Sequence, residues 1–121
     1  MKKHILVVDD EAEIRDLLEQ ILNYSGYRVS AVATAIEALR LAAKDPPQLI
    51  ISDLQLEDSD GLDMIDILKT TLPDTPMMLL TGVFFDPKVV RDTLSTKVAS
   101  YLQKSTPLAR IVEEVRRLIG V

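Results

Sequence analysis

Three acids in a row, Asp9, Asp10 and Glu11, follow directly on the apolar run from Ile5 to Val8. Like charges held this close repel, so something positive must offset them. A further acid, Asp53, ends a second apolar run, QLIISD at 48–53; Thr81 ends PMMLLT at 76–81, and Lys104 ends SYLQK at 100–104. Where such run ends meet, three carboxylates with a hydroxyl and an ammonium beside them suit a hard divalent ion. Mg²⁺ in particular takes one or two carboxylates, keeps several waters and adds a phosphate oxygen. Taken alone, DDE at 9–11 reads equally well as the entrance to a helix, with acids at its positive end. Convergence with Asp53 is what separates the two readings.

The elements that must position these residues follow from hydrophobic pattern. Strand-length apolar runs at 4–9, 27–33, 48–53, 76–81 and 100–104 alternate with segments of helical period. Runs without alternation read as parallel strands covered on both faces. In the first helix Ile14, Leu17, Leu18, Ile21 and Leu22 share one face, and Gly26 is placed to end it in a left-handed conformation. The last helix carries Leu108, Ile111, Val112, Val115, Leu118 and Ile119 on the same spacing, with Thr106 as expected N-cap, Pro107 at the first helical position and Gly120 past the end. Between them, a second helix begins near Thr34 and stops before Pro46-Pro47, a third runs from about 61 to 71 with Leu62, Ile65 and Leu68 inward, and a fourth is expected over about 87–95. Five strands alternating with five helices give a (βα)₅ three-layer α/β sandwich around a parallel sheet, for which 2-1-3-4-5 is the common strand order. That order sets strands 1 and 3 side by side and brings Asp9, Asp10, Asp53, Thr81 and Lys104 to the carboxyl edge, where ligands bind such sheets. His4, the sole histidine, begins strand 1 about 16 Å from Asp9 and takes no part.

Composition bounds the function. The 121 residues suit a single domain, 1–121, and no stretch is apolar for the length of a signal segment or a membrane span. Fourteen basic against nineteen acidic side chains give a net charge of −5, which argues against a nucleic-acid partner. Seven acids and no Lys or Arg fall between residues 45 and 68, which favours a cation or a solvated face. There is no cysteine, so disulfides and thiolate metal sites are excluded, and an intracellular, cytoplasmic address fits.

"VVDDE" at 7–11, "IISDLQL" at 50–56 leading to Asp60-Gly61, "LLTG" at 79–82 and "YLQKS" at 101–105 together resemble the receiver domains of two-component response regulators, in order and spacing and over the whole chain. The resemblance implies a flavodoxin-like fold and a phosphoacceptor signalling domain, with no enzyme activity beyond weak self-phosphotransfer and autodephosphorylation. By it, Asp53 is similar to the phosphoacceptor, Asp10 and Asp53 to direct Mg²⁺ ligands with the Gln55 carbonyl, and Asp9 to a ligand through water. Thr81 and Lys104 would bind the phosphoryl oxygens, and Thr81 and Tyr101 would form the switch. The donor would be a phosphohistidine of a sensor histidine kinase or a histidine phosphotransfer protein. The output surface would be the fourth helix, the fifth strand and the last helix, toward an output domain or target that the sequence does not name. Physics supports these roles separately, because phosphoryl transfer asks for in-line positioning and cancellation of charge on the equatorial oxygens.

Several positions depart from that pattern. Glu57 stands where many receivers have proline, four residues after the phosphoacceptor. Ser105 follows Lys104 where a cis proline is common, and the Lys104–Ser105 peptide is expected to stay cis if the lysine is held at a phosphate. Ser100 replaces an acid used in the dimer of winged-helix regulators, which counts against that dimer while leaving another homodimer open. Gln55 and Val83 fall where family members tune the lifetime of the phosphate. Phe84 and Phe85 follow Thr81, one expected under the fourth helix and the other read as an isolated exposed apolar residue, with a partner contact as the alternative. Three other readings compete. A pseudo-receiver would lack an acid, the threonine or the lysine; a haloacid-dehalogenase phosphatase would want an acid at Gln55; a flavin or dinucleotide carrier would want a glycine- or hydroxyl-rich loop where DDEAE stands. The chain ends one residue after Gly120, which fits a free-standing receiver or a piece of a larger regulator or hybrid kinase.

Overall fold

The computed structural model of the chain describes residues 2–53, 56, 61–82, 88 and 97–120. Five strands, β1 (His4–Val8), β2 (Arg28–Val32), β3 (Leu49–Ser52), β4 (Met77–Thr81) and β5 (Ser100–Gln103), form one sheet of order β2-β1-β3-β4-β5 in which every pair is parallel. The described helices are α1 (Ala12–Tyr24), α2 (Ala35–Lys44), α3 (Gly61–Thr71) and α4 (Leu108–Ile119). Of the helix expected over 87–95, only Lys88 is described, and it is helical.

Alternate side chains of a strand point to opposite faces, so each central strand feeds two cores. Leu6, Val8, Ile50 and Leu79 pack with Ala35, Ala38 and Ala42 of α2 and Met64, Ile65 and Leu68 of α3. On the other face, Ile5, Val7, Ile51, Met78 and Leu80 pack with Leu18 and Leu22 of α1 and Ile111, Val112 and Val115 of α4. This is the three-layer sandwich read from the sequence. β1, β3 and β4 are buried throughout. β2 and β5 are only partly buried, because edge strands have a neighbour on one side alone.

Helix ends follow their local chemistry with one shift. Gly26 (φ +104°) follows α1, and Thr34 caps α2 by accepting from the Glu37 amide at 3.2 Å. The N-cap of α4 is Pro107, not the expected Thr106, whose own amide is turned to Gln103 O at 2.9 Å. Pro107 takes ψ 142°, outside the helix, while its carbonyl accepts from Arg110 and Ile111 at 3.0 and 3.2 Å. Two residues expected on inward faces are also more open than the pattern implies: Leu17 is 47% exposed and Leu108 37%. These two side chains line a shallow groove between α1 and α4 with Gln20, Ile21 and Tyr24.

No described peptide bond is cis, so the Lys104–Ser105 bond is trans, against the cis expectation. With serine following, trans is favoured by about 3–4 kcal/mol. No described helix is long and apolar enough to cross a membrane.

Candidate functional site

The carboxyl edge of the sheet assembles the residues singled out by type. The parallel ladders run one residue past the strand ends: Asp9 N donates to Val32 O and Asp53 N to Val8 O at 3.1 Å each, and Lys104 N donates to Thr81 O at 2.9 Å. Each of these backbone bonds fixes where a functional side chain starts. Asp9, Asp53 and Thr81 are buried, at 2%, 5% and 0% exposure. Carboxylate oxygens of Asp9, Asp10, Glu11 and Asp53 lie within 4.8 Å of one another.

The positive group that these acids require is Lys104. Its Nζ is 2.9 Å from Asp9 Oδ2, 2.7 Å from Asp53 Oδ2 and 2.7 Å from Glu11 Oε1. Burial alone would lower the pKa of this ammonium, but hydrogen bonds to Asp53, Glu11 and Asp9 outweigh it and hold the value well above the ordinary one. Asp9 moves in the direction that its burial dictates: loss of water raises its pKa, and the Glu11 amide and Lys104 only partly offset this. The two directions agree physically, since one ammonium shared among three carboxylates cannot fully repay the desolvation of the deepest.

The helix-entrance reading of the acids also holds a share. Asp9 Oδ1 accepts the Glu11 amide at 2.9 Å, and Glu11 is the N-cap of α1 without a side-chain cap of its own. Arg15, a turn into α1, donates to Asp9 O at 2.7 Å, and Ser52 Oγ donates to Asp53 O at 2.9 Å. These supports, and the reach of Glu11 to Lys104, went unread in the sequence. Only the run DDE hinted at a third acid. Tyr101 lies opposite Leu79 in the β4–β5 register, partly buried against the α2–α3 core. Gln55, Glu57, Val83, Phe84 and Phe85 lie outside the described residues, as does the side chain of Leu62. His4 sits at the opposite end of β1, buried, with Nε2 2.7 Å from Ser30 Oγ. An oxygen-only donor set of clustered carboxylates suits a hard cation such as Mg²⁺.

Comparison with known proteins places this arrangement. The sequence model of the response regulator receiver domain matches residues 5–116. Response regulator MprA of Mycobacterium ulcerans (strain Agy99) is 32% identical over 126 residues, covering 98% of this chain and 51% of the relative. MprA of Mycobacterium leprae (strain TN) is 31% identical over 122 residues, covering 95% and 50%. The chain thus spans about half the length of the curated relatives it matches. Among solved structures, the response regulator TrrA of Thermotoga maritima in complex with Mg(2+)-BeF superposes with a TM-score of 0.86 at 30% identity, over 98% of this chain and 100% of that one. Chemotaxis response regulator CheY4 of Vibrio cholerae shares the fold at a TM-score of 0.89 and 24% identity, over 98% and 100%. A sheet of this order with acids gathered at its carboxyl edge, and a family match over nearly the full length, lead to one assignment: the chain belongs to the response regulator receiver domains of two-component systems.

Proposed function

We propose that residues 1–121 act as one receiver domain that accepts a phosphoryl group on Asp53, with Mg²⁺ as cofactor, from a phosphohistidine of a sensor histidine kinase or a histidine phosphotransfer protein. The observation that carries the reading is the meeting of four carboxylates within 4.8 Å, with Lys104 Nζ in hydrogen-bond reach of three of them. The likeness to TrrA, solved with Mg(2+)-BeF, supports the choice of ion.

Asp10 and Asp53, with the Gln55 carbonyl, would hold the ion directly and Asp9 through water. When bound, it supplies positive charge beside the transferring group. A carboxylate oxygen of Asp53 attacks phosphorus, the P–N bond of the donor breaks with its electron pair returning to the imidazole, and an acyl phosphate forms. Lys104 exchanges its contact with Asp53 for a phosphoryl oxygen, and the Thr81 hydroxyl takes another. The added charge approaches −2 at pH 7. As Thr81 is drawn toward it, Tyr101 on the paired strand follows, and the segment at 87–95, β5 and α4 present the changed surface to an output domain or target.

The competing reading is a pseudo-receiver that serves only as an interaction module, in which Lys104 stays bridged to Asp9 and Asp53. Adding Mg²⁺ with a small acyl phosphate, or with beryllofluoride, decides between them. Phosphoacceptance predicts backbone amide NMR shifts at Thr81 and Tyr101 that vanish in Asp53→Asn, whereas unchanged spectra of the native protein select the pseudo-receiver.

A further inference from the structure

Glu11 lies outside the residue set that the family resemblance assigns, yet its Oε1 stands 2.7 Å from Lys104 Nζ, as close as Asp53 Oδ2 does. The three partners of the lysine differ in burial, since Asp9 and Asp53 are enclosed while the Glu11 side chain is 59% exposed at the mouth of the site. Glu11 is also anchored there. Its amide donates to Asp9 Oδ1 at 2.9 Å and its carbonyl accepts from the Arg15 amide at 3.1 Å, so its backbone is tied to the site while its side chain spans to the lysine.

A divalent cation among Asp9, Asp10 and Asp53 draws the same oxygens that hold the ammonium and repels the ammonium itself. Of the lysine's three partners, Glu11 is the one outside that set. We infer that Glu11 is a positioning residue: it keeps Lys104 at the mouth of the site when Asp9 and Asp53 turn to Mg²⁺, and thereby both strengthens Mg²⁺ binding and leaves the lysine placed for the phosphoryl group. This rests on the phosphoacceptor reading above. Without Glu11, the lysine either stays in the crevice against the metal or swings into water, and either outcome weakens the loaded state.

The test is a double-mutant cycle on the whole chain, with Mg²⁺ binding followed by calorimetry in the native protein, Glu11→Gln, Lys104→Met and the double variant. Glu11→Gln is expected to weaken Mg²⁺ binding about three- to tenfold when Lys104 is present and less than about twofold when it is Met, the non-additivity expected of a contacting pair. Equal weakening in both backgrounds overturns the inference, because Glu11 then acts as a ligand or a bulk charge; so does no weakening at all. Should Lys104→Met fail to fold, ¹H–¹⁵N spectra of the lysine ammonium groups at saturating Mg²⁺ give the answer directly. The Lys104 signal persists in the native protein and is lost to solvent exchange in Glu11→Gln, and equal persistence in both overturns the inference. A native protein that binds no Mg²⁺ overturns the phosphoacceptor reading along with this one, whereas additive variants of a Mg²⁺-binding protein overturn this one alone.

Discussion

Asp9 is nearly inaccessible, and its pKa is raised above the ordinary value chiefly by burial even though Lys104 Nζ lies 2.9 Å away. A carboxyl whose folded pKa exceeds its unfolded one stabilises the fold in its protonated form; that contribution is complete at low pH and is lost as pH rises through the folded pKa. In the metal-free protein Asp9 therefore contributes less stability at neutral pH than at low pH. Asp9→Asn keeps the shape and removes the charge, while Lys104 retains Asp53 and Glu11. Thermal unfolding followed by circular dichroism in a chelator should show Asp9→Asn melting about 2–5 °C above the native protein at pH 7, an advantage that shrinks on acidification. An Asp9→Asn that melts lower would mean that the ion pair outweighs desolvation. The residues of this cluster were legible in the sequence because each ends an apolar run, and parallel topology alone then gathers them. Glu11 to Lys104 was not legible: the two are far apart along the chain, and a run of acids does not tell which side chain turns toward which strand.

Among the elements, α4 shows how a helix is held at its far end. Tyr27, buried between α1 and β2, donates its hydroxyl to Gly120 O at 2.6 Å, and Lys3 Nζ bonds Ile119 O. Both carbonyls belong to the end of the helix, where no further turn supplies amide donors. Gly120 takes φ +74°, which lets the chain turn so that its carbonyl meets the tyrosine. Tyr27→Phe keeps the ring in the core and removes the hydroxyl, so it should cost about 1 kcal/mol in urea unfolding and speed amide exchange selectively in the last turn of α4. Uniform acceleration across the helix would instead assign Tyr27 a general packing role. The glycine after each of α1 and α4 was readable because few other residues take positive φ. The start of α4 was misread by one residue, since a proline is equally at home as the first helical residue or, with extended ψ, as the cap before it; composition does not choose between them. The inward placing of Leu17 failed for another reason: periodicity gives the direction of a side chain on its helix, while the elements packed against that helix decide whether anything covers it.

At the scale of the molecule, the sheet has two ends with opposite electrostatic habits. The carboxyl edge gathers acids around one lysine, and the amino edge buries His4 beside the bidentate Arg28–Asp45 pair (2.6 and 3.1 Å). His4 Nδ1 lies 3.7 Å from Asp45 Oδ1 and has no hydrogen-bond partner among the described residues. Burial, followed by the nearby Arg28 charge, lowers the His4 pKa below 6.5, and Asp45 only partly opposes this. For a histidine favoured neutral in the fold, stability is complete above the unfolded pKa and falls as pH drops through the folded one, because the unfolded chain takes up the proton first. Glu114, set between Arg117 and Arg110 on α4, has its pKa lowered and adds a second loss in the same direction, beginning below 4.5. Asp9 runs the other way in the metal-free protein, so the two ends of the sheet partly cancel in a native pH profile. Urea unfolding in the Asp9→Asn background removes that opposition. There, stability should decline on acidification from pH 6.5, and His4→Gln, which keeps a polar group in reach of Ser30 but does not titrate, should abolish the decline down to about pH 5 while leaving the later loss due to Glu114. A decline that survives His4→Gln unchanged would move its origin away from the amino edge of the sheet.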